Sequence, residues 1–224
     1  MEQARPAKNV AILIYDDVEV LDFAGPLEVF LAASNRGKDL HVFTVAEHDA
    51  PVTALGGLSV NPNYSFEHCP PVDLLVVPGG WGSRKEMHNE LLIRWVRETS
   101  PKAELLLSVC TGALILAKAQ LLKGLKLTTN RRATHELRAI VGDSADIAEE
   151  ERYIDNGKII LSAGVSAGID ASLYVVGKLF GAERAIEAAD LMEYDWNGGI
   201  GVNWLPHAKG LNSTGEDSVI KVDD

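Results

Sequence analysis

The chain is predicted to fold as an α/β protein, with a mostly parallel sheet covered by helices on both faces. Three observations predict this. Continuous apolar runs recur without polar alternation, as in strands buried on both sides. Helix-forming stretches separate these runs, which calls for crossover connections. Loops rich in Gly, Pro and Asp follow three of the runs, at 16–25, 78–84 and 108–112. In such sheets ligands bind beyond the C-terminal ends of the strands, so these three loops are expected to converge on one edge.

The first strand covers 10–15 and is broken by Asp16 and Asp17, which read as turn residues. Pro26 is placed as the first residue of a helix running to about Arg36, because a missing N–H is harmless in a first turn. Gly37 ends that helix. Residues 40–46 form the next strand, and Gly56-Gly57 marks a turn within 51–62, with a short strand pair around it. Residues 73–77 are a strand closed by Pro78-Gly79-Gly80; 90–98 a helix; 104–108 a strand; 113–119 a helix. A strand at 125–129 and a helix at 132–141 follow. Asn156-Gly157 signals a hairpin between strands at 152–154 and 158–161. Helices at 167–180, capped by Gly181, and 182–192 complete one domain, 8–195. The extension 196–224 turns polar and Gly/Ser/Asn/Asp-rich and is expected to be loosely ordered.

With 224 residues, 46% hydrophobic and 24% charged, the chain has the composition of a soluble globular protein with one sizeable core. A net charge of −11 argues against nucleic acid or an anionic membrane as partner. No apolar run is long enough to span a bilayer, and the N-terminus lacks the apolar core of a signal peptide, so a cytoplasmic location is expected. His135-Glu136 has no second histidine four residues on and no CxxC pair occurs, so no metal is expected. The two cysteines, Cys69 and Cys110, lie in different contexts; a chain of this kind does not need a disulfide between them.

Cys110 is the candidate nucleophile. The apolar run 105–107 stops at Ser108-Val109-Cys110-Thr111-Gly112 and a helix begins at once, the grammar of a nucleophile elbow. A thiol at a helix N-terminus is expected to have a lowered pKa. The competing reading is a small buried apolar residue. Cys69, in a loop before Pro70-Pro71, is expected to be inert.

Four segments in order resemble the ThiJ/PfpI superfamily: Val20-Leu21-Asp22-Phe23-Ala24-Gly25-Pro26, Asp73-Leu74-Leu75-Val76-Val77-Pro78-Gly79-Gly80, Ser108-Val109-Cys110-Thr111-Gly112, and Ala163-Gly164-Val165-Ser166-Ala167-Gly168-Ile169-Asp170. The resemblance covers roughly 8–195. It implies a class I glutamine amidotransferase-like fold, a flavodoxin-like three-layer sandwich. The chain is most similar to the branch holding isonitrile hydratases and the ligand domains of AraC-type regulators, which carries an Asp in an L-D-x-x-G-P loop and a Thr after the Cys. It departs in two places. Thr111 stands where the protease-like branch has His, so a His–Cys dyad does not carry over. Asn130-Arg131 follows Thr128-Thr129 where relatives have His-Trp.

The resemblance implies that Asp22 approaches the thiol. Burial and like charge would raise its pKa, and the protonated carboxyl would donate to the sulfur and shuttle protons. Gly79 and Gly80 are candidates to offer N–H groups to a developing negative charge, with the Thr111 N–H. The Thr111 hydroxyl is expected to bond a substrate, bond Asp22 or cap the following helix. Trp81 is expected to line a pocket or join the core, and Asp170 to anchor a helix. The function implied is a cysteine-dependent lyase of the isonitrile hydratase kind, acting without a cofactor on a small molecule, as a homodimer. The alternatives are a small-molecule or redox sensor without turnover, or another carbonyl-directed hydrolase or glyoxalase.

Overall fold

Strand order follows from which apolar runs pair. The structure, a computed structural model, describes residues 7–143 and 145–196. Its strands are β1 (Lys8–Leu13), β2 (Leu40–Ala46), β3 (Val52–Thr53), β4 (Ser59–Val60), β5 (Tyr64–Ser65), β6 (Leu74–Val77), β7 (Leu105–Val109), β8 (Tyr153–Asp155) and β9 (Ile159–Ser162). The main sheet runs β5-β2-β1-β6-β7-β9-β8, parallel throughout except for the antiparallel β8–β9 edge. Its central strands β2-β1-β6-β7-β9 follow the flavodoxin-like order, whose switch point lies between β1 and β6. β3 and β4 form the expected small antiparallel pair around Gly56-Gly57.

The helices are α1 (Val20–Ala32), α2 (Ser83–Glu86), α3 (Glu90–Thr99), α4 (Gly112–Lys118), α5 (Thr134–Val141), α6 (Ala167–Phe180) and α7 (Ala182–Leu191). α1, α6 and α7 pack together as one layer; α2, α3, α4 and α5 form the other. The sheet between them is dry: Ile12, Leu13, Leu75, Val76, Leu106 and Leu107 have no exposed surface. Covered on both sides, the strands cannot alternate apolar and polar residues, which is why they read as continuous apolar runs.

Three expectations need correction. α1 begins at Val20 rather than at Pro26, and ends at Ala32. Pro26 sits inside the helix, so it cannot donate to the Asp22 carbonyl one turn before it. Residues 125–129 form no strand; only an isolated parallel bridge joins Leu127 to Ile147. The short β5 and α2 carry too few residues to show a period in sequence. The predicted extension, 196–224, lies outside the described residues apart from Trp196.

The junction between β7 and α4 is the tightest point of the fold. A Cβ on Gly112 would overlap the Val77 carbonyl oxygen of the neighbouring strand. Gly157, in the β8–β9 turn, has φ +84°, and a Cβ there would meet nothing within 4 Å. Gly112→Ala is therefore expected to destabilise the fold by about 2 kcal/mol or more through overpacking. Gly157→Ala should cost about 1 kcal/mol through backbone strain alone. Denaturant midpoints of the two variants check this order.

Candidate active site

Cys110 joins β7 to α4 with φ +55°, a left-handed conformation that L-residues adopt rarely and that costs of order 1–3 kcal/mol. The surroundings hold it there. Its N–H donates to the carbonyls of Ser162 (3.1 Å) and Ala163 (3.0 Å), and its carbonyl accepts the Thr129 hydroxyl at 2.8 Å. The residue is 5% exposed.

Asp22 comes from the first turn of α1 and has no exposed surface. Its Oδ2 accepts the Gly79 N–H at 3.0 Å. Oδ1 has no hydrogen-bond partner of ordinary geometry among the described residues. The Cys110 thiol and the Val165 N–H lie near enough to favour the charged carboxylate without closing a full bond. Burial dominates and raises the Asp22 pKa from 3.8 to about 7; the charge of Glu19 adds to this.

The thiol is raised as well. Burial first, then the Asp22 charge, push Cys110 from 9.0 to about 12, against smaller opposing effects of the Asn130 side chain and the Thr111 N–H. This corrects one expectation and agrees with another. The helix N-terminus does not yield a resting thiolate, because the seven-residue α4 offers less than burial takes away. The Asp22 carboxyl is raised, as expected, with burial as the first cause.

The two glycines serve the frame of the site. The Gly79 N–H is engaged by Asp22 and the Gly80 N–H by the Thr111 hydroxyl at 3.0 Å, so neither is free to meet a developing negative charge. A Cβ on Gly79 would lie 2.5 Å from Thr111 N and 2.9 Å from Asp22 Oδ2. Only glycine lets the β6 loop pass between the elbow and α1. The Thr111 hydroxyl makes no cap bond; it also contacts the Gly80 carbonyl (3.1 Å) and the Ser83 hydroxyl (2.9 Å), tying the elbow to α2. Trp81 is 68% exposed and so is not core. The Arg84 guanidinium lies 4.7 Å from its ring centroid and pairs with Glu136 at 2.6 Å. Asp170 anchors α6 as expected, accepting from Arg152 Nε at 2.6 Å and from the Tyr194 hydroxyl at 3.0 Å.

Sequence reasoning missed Tyr15 and the role of Asn130. Tyr15 is buried behind the pair, its hydroxyl donating to the Pro78 carbonyl at 2.7 Å, and burial, then Asp22 and Cys110, raise its pKa. Its place just past the end of β1, at the switch point, was the available signal. A cavity of about 380 Å³ is lined by Tyr15, Glu47, His48, Lys85, Glu86 and Asn89 among others; Cys110 does not line it. Both cysteines are free; Cys69 is half-buried, and burial raises its pKa to about 11. Among the described residues no group of three or more His, Cys, Asp or Glu side chains is placed to hold a metal ion, and no helix is long and apolar enough to cross a membrane.

A buried cysteine at a left-handed strand–helix junction, faced by a carboxyl from the first helix, defines the site of a ThiJ/PfpI-type α/β protein. The DJ-1/PfpI family model matches residues 8–178, and the chain belongs to that family. It is 33% identical over 188 residues to an isonitrile hydratase of Pseudomonas putida, covering 84% of this chain and 79% of the hydratase. It is 28% identical to the HTH-type transcriptional regulator CdhR of Pseudomonas aeruginosa, a match that spans 80% of this chain and 52% of the regulator. The crystal structure of a ThiJ/PfpI family protein from Pseudomonas syringae superposes with a TM-score of 0.77 at 30% identity, covering 86% of this chain and 77% of the other.

The raised pKa of Asp22 has a consequence for stability. The folded chain holds this proton up to about pH 7, whereas an unfolded carboxyl releases it near 3.8. The folded state therefore has an advantage at low pH that is lost as pH rises from about 4 to about 7. Asp22→Asn cannot ionise. It should match the wild type at pH 4 and exceed its stability above pH 7 by at most about 4 kcal/mol. Urea denaturation at the two pH values measures the difference.

Proposed function

We propose that the chain is a cysteine-dependent enzyme that hydrates isonitriles to N-substituted formamides. The observation that carries this reading is the buried Asp22 carboxyl near the Cys110 thiol, with Oδ1 unpartnered among the described residues. It is a base with a pKa near the operating pH, next to a thiol that must lose a proton to react. The similarity to the hydratase of Pseudomonas putida supports an isonitrile as the electrophile.

Asp22 takes the proton from Cys110 Sγ as the sulfur adds to the terminal carbon of the isonitrile. The same proton is then delivered to that carbon, giving a thioimidate, R–N=CH–S–Cys110. Water adds across the C=N bond, its hydroxyl to carbon and its proton to nitrogen, with Asp22 relaying the proton. Collapse of the tetrahedral adduct expels sulfur, which regains a proton, and releases R–NH–CHO. Atoms balance with one isonitrile and one water consumed. The charge that develops on sulfur in the first and last steps is met by the Thr111 N–H, which favours the anionic sulfur. The strained elbow presents the sulfur in one orientation, so little is lost in aligning it.

A second reading is a sensor without turnover, which the similarity to CdhR favours. It takes Cys110 as a ligand-binding or oxidisable thiol. The proposed assembly in either case is a homodimer.

Formamide appearance with purified protein and a panel of isonitriles tests the proposal. Cys110→Ala should abolish turnover, and Asp22→Asn should slow it about 100-fold or more, since an amide cannot accept the thiol proton. With Asp22 as the base, kcat/KM should rise as pH passes through about 7. Turnover that survives Cys110→Ala overturns the covalent route. Stoichiometric thiol modification without turnover favours the sensor.

A further inference from the structure

Asn130 is fixed in place by two neighbours of Cys110. Its neighbour Thr129 is tied to Cys110 through the hydroxyl-to-carbonyl bond of 2.8 Å. On the other side stands Gly164, which follows Ala163, the acceptor of the Cys110 N–H. A Cβ on Gly164 would lie 2.5 Å from Asn130 Nδ2, so glycine is what lets the amide into this position. The orientation of the amide is also set. Oδ1 accepts the Arg132 N–H at 3.0 Å and caps the turn at Arg131–Ala133, which leaves Nδ2, with its two N–H bonds, as the end that faces Gly164. The residue before it, Thr129, has no exposed surface, so the backbone that carries the amide is fixed in the core.

We propose that the Asn130 side-chain amide is the donor that holds the Cys110 sulfur when it carries negative charge. A neutral amide suits the task beside Asp22. It stabilises a thiolate by hydrogen bonding, yet it cannot take up the thiol proton and so does not compete with the carboxyl as base. Its side chain favours the ionised form of Cys110, in the same direction as the Thr111 N–H and against burial. The two donors come from different segments, one from the start of α4 and one from the loop before α5. A sequence with Asn at this position thus separates the two roles: the acid–base group is Asp22 and the electrostatic partner of sulfur is Asn130.

The inference takes Cys110 as the nucleophile of the proposed function, but its test reads the thiol itself and needs no turnover. Alkylation by iodoacetamide is followed between pH 8 and 10 by mass spectrometry, which resolves Cys110 from Cys69. Asn130→Ser keeps an oxygen that caps the Arg132 N–H, while its hydroxyl stops one atom short of the amide nitrogen. Asn130→Asp keeps the cap and replaces the donor with a charge. Cys110 labelling is expected to slow about tenfold in Asn130→Ser at each pH, and further in Asn130→Asp, with Cys69 labelling and the melting temperature unchanged. Cys110 labelling at the wild-type rate in Asn130→Ser would overturn the proposal. So would a common change in both cysteines, which would mark Asn130 as structural only. Absence of isonitrile turnover, by contrast, bears on the proposed function and leaves this result standing.

Discussion

The site depends on one constraint, the close passage of the β7–α4 junction across the end of β6. Gly112 presses against the Val77 carbonyl, and Gly79 leaves 2.5 Å between its would-be Cβ and Thr111 N. No side chain fits at either place. Because the two backbones are locked together, Cys110 is forced into its left-handed conformation and Asp22 finds the Gly79 N–H within 3.0 Å. Strain at Cys110 is offset by bonds to Ser162, Ala163 and Thr129, contributed by two other segments. The elbow is thus not a local motif. It is a point where several segments agree on one geometry, and loosening any of them would let the cysteine relax.

Burial then decides the electrostatics. A helix N-terminus and two donors favour the thiolate, but none outweighs the removal of the pair from water. Burial accordingly raises both groups, which keeps the cysteine a thiol and brings Asp22 to about 7. In the proposed reaction such a site would generate its nucleophile on demand rather than store it. A resting thiolate would react with any oxidant that reached it; a buried thiol paired with a buried base is quieter until a substrate shares its proton. The same arrangement destabilises the folded chain at neutral pH, as expected where function and stability compete for one buried group.

Family membership and site chemistry answer different questions. The family match and the superposition establish the family and the fold, and the relatives include both an isonitrile hydratase and transcriptional regulators. What separates a catalyst from a sensor is whether protons can be moved at the sulfur. The unpartnered Asp22 oxygen bears on that directly, while overall similarity does not.

Much of this protein was legible in its sequence. The apolar runs at 40–46 and 73–77, the Asn156-Gly157 hairpin and the helix Ala167–Phe180 appear almost as read, because two-sided burial and glycine-dependent turns leave marks on consecutive residues. Cys110 and the three loops were legible for a related reason, since each sits at the end of a strand; Asp22 was legible only through the resemblance to the ThiJ/PfpI superfamily. The start of α1 was not, since Pro26 is a strong local signal that the packing of α1 on α6 overrides. Nor were the engagement of the Gly79 and Gly80 N–H groups, the exposure of Trp81, or the position of Asn130 against Gly164. The two glycine bonds alone join residues 57 and 31 positions apart in the chain. Sequence alone determined where the cysteine and its turn would stand; only the tertiary structure decided which neighbouring N–H groups were already engaged, because hydrogen-bond partners and burial are properties of neighbours in space.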